Sequence, residues 1–93
     1  MRAVIYVRGS DERQQEERCL DYALSKNYDV LAVTNDMRDI AVPIISGDVD
    51  IIIAVNVARV SRDYIKFKRL QNILIKHGVF IDIVDRGFIV TGF

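Results

Sequence analysis

The sequence predicts an α/β fold, a three-layer sandwich around a mostly parallel sheet of four to five strands. Two observations lead to this prediction. Short apolar runs rich in β-branched residues alternate along the chain with longer segments in which apolar residues recur every three or four positions. Strands that alternate with helices in this way build parallel sheets with right-handed crossovers and helices on both faces.

Four segments have the composition of strands, and the first and third are predicted to be buried. They are residues 2–7, 29–34, 50–55 and 79–84. The third, DIIIAV, gives the clearest signal, because an unbroken β-branched run is typical of a strand buried on both faces of a parallel sheet. Residues 87–93 form either a loop or a short edge strand, and we expect their apolar side chains to leave an exposed edge through which the chain self-associates.

The first and last helical segments are amphipathic. Residues 12–25 predict a helix that ends where Asn27 can adopt a left-handed conformation, and residues 63–77 predict another, with Ser61 or Arg62 near its N-cap and Gly78 as its stop. The apolar face expected for the first is Cys19, Leu20, Ala23 and Leu24, and that for the last is Tyr64, Phe67, Leu70, Ile73 and Leu74.

Two connecting segments are less regular. Residues 35–46 contain Pro43, which breaks an interior helical hydrogen bond, so a helix there is short, kinked or begins near the proline. Gly47 and Asp48 then turn the chain into the third strand. Residues 56–62 are expected to form a polar loop after that strand.

The composition indicates one small domain. The chain has 93 residues, 51% of them hydrophobic, so we expect residues 1–93 to share a single core. One cysteine, Cys19, excludes an intrachain disulfide. No apolar run approaches the length that spans a bilayer, and the start lacks a secretory signal, so we expect a cytoplasmic protein without membrane contact.

Charge is unevenly distributed, although the net charge is zero. Residues 1–50 hold six Lys and Arg against ten Asp and Glu, whereas residues 51–93 hold seven against three. Most of the positive excess lies between Arg59 and Lys76, where Lys66 is one of six basic residues. Such a stripe is able to bind phosphates, although a solvated helix face is the commoner reason for one.

A hydroxyl and three guanidiniums follow the first and third strands. Arg8 and Ser10 come after the first, and Arg59 and Arg62 after the third, so a parallel sheet places all four at one edge. Guanidiniums bind phosphate oxygens in a bidentate way and stay charged, which suits a phosphodiester whose charge grows in the transition state. Serine would be the nucleophile. No metal-ligand cluster accompanies them, and we expect neither metal nor cofactor.

Each of these residues also has a purely structural interpretation. Ser10 is able to cap the first helix, with acidic residues after it that complement the helix dipole. Arg59 and Arg62 fit a solvated loop, Gln15 an ordinary polar helix position, and Asp50 a turn at the start of a strand. The spacing of these residues, taken alone, favours the structural interpretations over a catalytic site.

Three blocks of sequence resemble the catalytic domain of serine recombinases of the resolvase and invertase family. RAVIYVRGS at the start is similar to the family's strand and Arg-x-Ser motif, and GDVDIIIAVNVARVSRD resembles its strand followed by Asp-Arg-Leu-Ser-Arg. LIKHGVFIDIVDRGFIVTG is similar to the segment that follows the next helix. The blocks occur in the family's order and cover nearly the whole chain, so the resemblance implies a resolvase-like fold.

The resemblance implies a role for each candidate residue. Ser10 would attack a DNA phosphate to give a 5′-phosphoserine linkage, while Arg8, Arg59 and Arg62 would stabilise the pentacoordinate phosphorus. Gln15 matches the family's active-site glutamine. Asp50 matches an acidic residue at the start of the central strand. With Lys66, the three arginines would bind DNA phosphates. Family members need no metal or cofactor, because the covalent link conserves the bond energy.

The sequence also departs from the family pattern. Ala58 stands where the family has Asp, the loop after Ser10 is short, and only Arg38 is available as a further active-site arginine. The chain ends at Phe93, and we expect no C-terminal DNA-binding domain and therefore weak DNA affinity.

Two functions fit these observations. The first is a site-specific recombinase domain that forms homo-oligomers or pairs with a related protein. The second is a non-catalytic resolvase-fold protein that regulates or binds another protein.

Overall fold

A sheet of five strands runs through the middle of the structure, a computed structural model that describes residues 1–90, with only the backbone described for residues 88–90. The elements, in chain order, are β1 Arg2–Tyr6, α1 Glu12–Ser25, β2 Asp29–Thr34, α2 Arg38–Ile45, β3 Ile51–Ala54, α3 Val57–Val60, α4 Tyr64–Lys76, β4 Phe80–Ile83 and β5 Phe88–Val90. The sheet order is β2-β1-β3-β4-β5.

Four of the strands are parallel. β1 pairs with both β2 and β3, and β3 pairs with β4, all in parallel. β5 pairs with β4 in the antiparallel direction and forms the last strand of the sheet in the described residues. The mostly parallel sheet predicted from the sequence is therefore confirmed. Residues 88–90 adopt the edge-strand alternative, whereas the apolar edge expected at residues 87–93 concerns side chains that lie largely outside the described residues.

Apolar layers cover both faces of the sheet, which confirms the three-layer sandwich. Side chains alternate along a strand, so Ile51 and Ile53 of β3 point to one face and Ile52 points to the other. On the first face they pack with Cys19 and Ala23 of α1. The second face is covered by α2 and α4 through Ile40, Ile44, Phe67 and Leu74.

The two long helices bury narrower stripes than their sequences predict. Gln15, Cys19 and Ala23 form the buried stripe of α1, while Leu24 is 78% exposed and Leu20 is also exposed. In α4 the buried residues are Phe67, Gln71 and Leu74, and the expected core positions Tyr64 and Ile73 are exposed. The apolar faces predicted from periodicity are therefore wrong at these positions, because each helix contacts the sheet along one row of side chains.

Local capping explains two further differences. The polar loop predicted at residues 56–62 contains the short helix α3, because the side chain of Asn56 accepts a hydrogen bond from the Arg59 amide at 3.1 Å. The N-cap of α4 is Asp63, whose carboxylate accepts from the Ile65 and Lys66 amides, and not Ser61 or Arg62. Pro43 lies inside the eight-residue helix α2, which is the short-helix alternative.

A buried carboxylate ties α1 and the start of β2 to β4. Asp82 is fully buried, and its two oxygens accept hydrogen bonds from the hydroxyls of Tyr22, at 2.8 Å, and Tyr28, at 2.7 Å. Burial, together with the neighbouring carboxylate, raises the pKa of Tyr28 to about 12, so the phenol remains a donor. Each oxygen of the buried charge thus has a partner, as a charge in a low-dielectric interior requires.

No helix within residues 1–90 is both long enough and apolar enough to cross a bilayer.

The buried amide of Gln71 generates a stability prediction. Its Oε1 has no hydrogen-bond partner in the described part of the structure, and an unpartnered buried acceptor costs about 1–3 kcal/mol. We expect Gln71→Met to raise the free energy of unfolding by about 1 kcal/mol, measured by urea denaturation. Gln14→Met, at an exposed position of α1, is the matched control and should change stability little. A Gln71→Met protein no more stable than wild type would contradict the prediction.

Candidate functional site

The carboxyl ends of β1 and β3 bring the polar residues of the sequence to one edge of the sheet. The two strands pair in parallel with Ile5 opposite Ile53, so the segments that follow them leave the sheet side by side. Arg8 lies two residues after the end of β1. Arg59 lies on α3, which begins three residues after β3 ends.

A cleft of about 420 Å³ lies at this edge. Four basic side chains line it, those of Arg8, Arg59, Arg62 and Lys66. Asp63 is the one carboxylate in the described lining, and it caps α4. The cleft therefore presents a concentration of positive charge in a chain of zero net charge, and anions of the size of a phosphodiester suit it.

Gln15 fixes the strand end that forms one wall of the cleft. The amide side chain of Gln15 is buried; its Oε1 accepts from the Arg8 amide at 3.1 Å and its Nε2 donates to the Arg8 carbonyl at 2.7 Å. Both backbone polar groups of Arg8 are thus bound by one side chain. Nε2 also donates to Oδ1 of Asp11 at 2.8 Å. The structure therefore brings Gln15 to the predicted site, where it contacts the backbone.

Arg59 crosses the cleft to the same strand end. Its Nη1 donates to the Arg8 carbonyl at 3.2 Å, and its Nη2 forms an ion pair with Oδ1 of Asp11 at 3.0 Å. The side chain is 26% exposed, so part of the guanidinium still faces the cleft. The cap that Asn56 provides for α3 sets the direction from which this arginine approaches.

Gly9 leaves room for that approach. Its φ is +109°, in a region that L side chains rarely adopt, and a Cβ at this position would overlap Nη1 of Arg59. A residue with a side chain would therefore push the guanidinium away from the Arg8 carbonyl.

Ser10 lies in the turn between Gly9 and α1, with an exposed side chain. Within residues 1–90 its hydroxyl makes no hydrogen bond. The N-cap of α1 is Asp11, so the interpretation of Ser10 as that cap is wrong. Ser10 adjoins Gly9, which lines the cleft, but it is not itself among the lining residues.

Arg62 and Lys66 lie on the opposite wall of the cleft. Arg62 is in the link between α3 and α4, Lys66 is in the first turn of α4, and both side chains are exposed. In the described residues neither of them forms an ion pair, and the same is true of the Arg8 side chain. Three cations at the cleft therefore have no ion-pair partner among the residues that the structure describes.

Asp50 is not part of this site, which corrects the prediction. It precedes β3 at the amino end of the sheet, six residues from Asn56 and thus about 20 Å from the cleft along the strand. There its carboxylate accepts from Nε and Nη2 of Arg2, both at 3.1 Å, and from the Arg2 amide at 2.7 Å. The alternative interpretation, a residue of the turn into the strand, matches this placement.

Two residues of the site escaped the sequence reasoning. The sequence predicts for Asp11 only that it complements the helix dipole, yet its carboxylate contacts both Gln15 and Arg59. The hydrogen bond from Gln15 and the charge of Arg59 hold the pKa of Asp11 below its usual range. Asn56 was read as loop. Its position three residues before Arg59 is the spacing of a helix cap, and that signal could have identified it.

Metal-ligand geometry is absent from residues 1–90, where no group of three or more His, Cys, Asp or Glu is placed to hold an ion.

Comparison with solved structures shows which proteins share this fold. The C-terminal catalytic domain of ISC1926 TnpA, an IS607-like serine recombinase, superposes with a TM-score of 0.84 and 24% identity over 91% of this chain and 70% of that one. The N-terminal catalytic domain of TP901-1 integrase gives a TM-score of 0.89 with 17% identity, over 96% of this chain and 81% of the other.

A resolvase family site-specific recombinase from Streptococcus pneumoniae is similar over 98% of this chain and 76% of its own length, with a TM-score of 0.86 and 16% identity. No protein-family model matches the sequence, and no curated protein matches it. The chain thus has the fold of serine recombinase catalytic domains, and the predicted resolvase-like fold is confirmed.

Substitution of Gly9 should disturb the cleft specifically. Gly9→Ala and Gly47→Ala both place a Cβ on a residue of positive φ, which costs roughly 1–2 kcal/mol in each case. Nothing lies within 4 Å of a Cβ at Gly47, whereas one at Gly9 meets the Arg59 guanidinium. We expect both variants to lose stability in urea denaturation, but only Gly9→Ala to shift the NMR resonance of the Arg59 Nε–H. A shift of equal size in Gly47→Ala would contradict this.

Because of the ion pair between Arg2 and Asp50, the free energy of unfolding should depend on pH in the acidic range. Hydrogen bonds from Arg2 lower the pKa of Asp50 to about 2, below the value of about 3.9 in an unfolded chain. The ionised carboxylate therefore stabilises the fold above about pH 4, and this contribution disappears as the pH falls towards 2. We expect urea denaturation to show Asp50→Asn less stable than wild type near neutral pH and the difference to vanish in acid. A difference independent of pH would contradict it.

Proposed function

We propose that this chain is a serine recombinase catalytic domain that breaks and rejoins DNA strands through Ser10. The observation on which this rests most is the cleft in which Arg8, Arg59, Arg62 and Lys66 gather beside the Ser10 turn. The shared fold supports the proposal, because two of the three similar structures are a serine recombinase catalytic domain and a site-specific recombinase, and the third is the catalytic domain of an integrase. We take residues 1–93 as a single catalytic domain.

The electrostatics of the cleft suit phosphoryl transfer. Negative charge increases on the phosphate oxygens in the transition state, and fixed guanidiniums stabilise it without reorganisation. Arginine stays charged at every working pH, so the cleft keeps its charge where a lysine or histidine site would titrate. In this proposal Arg8, Arg59 and Arg62 bind the phosphate oxygens, and Lys66 contacts a flanking phosphate.

Ser10 would supply the nucleophile. Its Oγ forms a bond to phosphorus as the bond from phosphorus to the 3′ oxygen breaks; the hydroxyl loses a proton and the 3′ oxygen gains one. The products are a 5′-phosphoserine linkage and a free 3′ hydroxyl. One phosphodiester replaces another, so rejoining is the reverse of the same step and uses no cofactor. The hydroxyl has no hydrogen bond to give up within residues 1–90 before it attacks.

The DNA complex of this domain alone would be weak. Affinity for duplex DNA comes mainly from neutralised phosphates, and the chain as a whole has no net positive charge to add to the four cations of the cleft. We therefore propose that productive binding uses a second copy of the chain or a related protein, so that several clefts contact DNA together.

A covalent adduct with DNA is the direct test. We expect wild-type protein, incubated with nicked or supercoiled DNA and then denatured, to give a protein–DNA species that Ser10→Ala cannot form. Ser61→Ala is the matched control, because Ser61 is the hydroxyl that lines the cleft itself, and it should retain the adduct. An adduct lost in Ser61→Ala and kept in Ser10→Ala would contradict the assignment of the nucleophile.

The second candidate function is a non-catalytic interaction protein. Exposed apolar side chains on α4, those of Tyr64, Ile65 and Ile73, favour it, because a partner protein would remove them from water. Wild-type protein that gives no adduct and no mobility shift with DNA at low salt would favour this function over recombination.

A further inference from the structure

Asp11 occupies a helix N-cap without acting as one. An aspartate at this position ordinarily accepts a hydrogen bond from an amide in the first helical turn. Asp63 does so at the start of α4, where its Oδ1 accepts from the Ile65 amide at 2.9 Å and the Lys66 amide at 3.2 Å. The carboxylate of Asp11 makes no such bond. Besides its hydrogen bond with the Gln15 side chain of α1, the carboxylate has a contact outside the helix.

That contact is with Arg59. Oδ1 of Asp11 accepts from Nε2 of Gln15 at 2.8 Å and pairs with Nη2 of Arg59 at 3.0 Å. The other amino group of the guanidinium, Nη1, donates to the Arg8 carbonyl. The guanidinium thus contacts Arg8 and Asp11, the residues on either side of Gly9 and Ser10. Its position is therefore fixed relative to the turn that holds the serine.

We propose that Asp11 is a positioning residue that holds the Arg59 guanidinium in a fixed relation to Ser10, and this inference rests on the proposed function. An arginine has five N–H donors, and the hydrogen bond to the Arg8 carbonyl uses one of them, while the contact with Asp11 is an ion pair. Other donors of the guanidinium remain for a phosphate in the cleft. The residue before Arg59 is Ala58, which offers no carboxylate, so the acidic partner comes from the serine turn, 48 residues away.

A simple counter-charge would behave differently. A carboxylate that only neutralised the cleft would weaken phosphate binding, and its removal would strengthen both binding and reaction. A partly exposed ion pair also contributes little to stability by itself. A positioning role instead predicts that removal of Asp11 separates the two steps, with binding kept and the chemical step slowed.

The first experiment measures DNA binding and adduct formation separately in Asp11→Ala. We expect binding at low salt to be unchanged or tighter, because a negative charge is removed near the phosphate. The rate of adduct formation at saturating DNA should fall about ten-fold or more, since small displacements of a catalytic group have effects of this size. Asp11→Asn retains an oxygen that accepts from Gln15 or Arg59. Its rate of adduct formation should lie between those of Asp11→Ala and wild type.

Asp21→Asn is the control for charge. Asp21 is an exposed residue of α1, so the change removes one negative charge from the same helix away from the cleft, and its adduct rate should equal that of wild type. A faster reaction in Asp11→Ala, or an equal loss in Asp21→Asn, would overturn the inference.

A double-mutant cycle tests whether Asp11 acts through Arg59. In an Arg59→Ala background, Asp11→Ala should cause no further fall in the adduct rate, because the group that it positions is gone. Rate effects that multiply independently would show that Asp11 acts by another route and would overturn the inference.

A second readout needs no DNA cleavage, so failure of the proposed function is distinguishable from failure of this inference. In ¹⁵N-labelled wild-type protein titrated with inorganic phosphate, the Ser10 amide and the Arg59 Nε–H should shift along one binding curve. In Asp11→Ala the Ser10 amide should no longer follow Arg59, while resonances of the sheet stay in place. A Ser10 response that persists in Asp11→Ala would overturn the inference, whether or not wild type forms an adduct.

Discussion

Two hydrogen bonds between the Gln15 side chain and the Arg8 backbone hold the chain where it leaves the carboxyl end of β1, and the edge of the sheet at that point depends on them. One buried amide binds the N–H and the carbonyl of the residue at which β1 leaves the sheet. Without it, the Arg8 amide would lose its partner in a partly buried position, at a cost of about 1–3 kcal/mol, and the carbonyl would keep only the bond from Arg59. Gln15 lies on the same row of α1 as Cys19 and Ala23, so helix packing and loop geometry are set together.

The Arg8 carbonyl shows how this contact extends into the cleft. It accepts from Nε2 of Gln15 at 2.7 Å and from Nη1 of Arg59 at 3.2 Å, and a carbonyl has two lone pairs for two such donors. A side chain of helix α1 and a side chain of helix α3 therefore donate hydrogen bonds to the same backbone oxygen. The shape of the cleft therefore depends on the Gln15 side chain and the Arg8 backbone as well as on the basic side chains that line it.

Much of the fold could be predicted from the sequence because local signals decide it. The helix predicted at residues 12–25 and the strand at 29–34 have the observed bounds, and Asn27 has the expected left-handed φ of 59°. Apolar runs and helix stops act within a few residues of chain. The edge at which Arg8 and Arg59 meet followed from strand direction alone, since parallel strands present their carboxyl ends together.

The rest depended on contacts between distant parts of the chain. The bond from Arg59 to Arg8 joins residues 51 positions apart, and that between Arg2 and Asp50 joins residues 48 apart. Periodicity does not indicate which carboxylate an arginine meets, so Asp11 was missed. The resemblance places Asp50 in the site, but its position just before β3, at the amino end of the strand, puts it at the opposite edge of the sheet. Exposure of Leu24 likewise reflects how little of α1 the sheet covers.

Asp82 has a consequence for the uniqueness of the fold. Side chains alternate between the two faces of a strand, so a slip of one residue in the pairing of β4 with β3 would turn Asp82 away from Tyr22 and Tyr28. The carboxylate would then enter the layer that Leu74 and the isoleucines of the opposite face fill, without a hydrogen-bond donor. A run of β-branched residues otherwise pairs almost equally well in neighbouring registers. One buried charge therefore discriminates among alignments that apolar packing alone would leave close in energy.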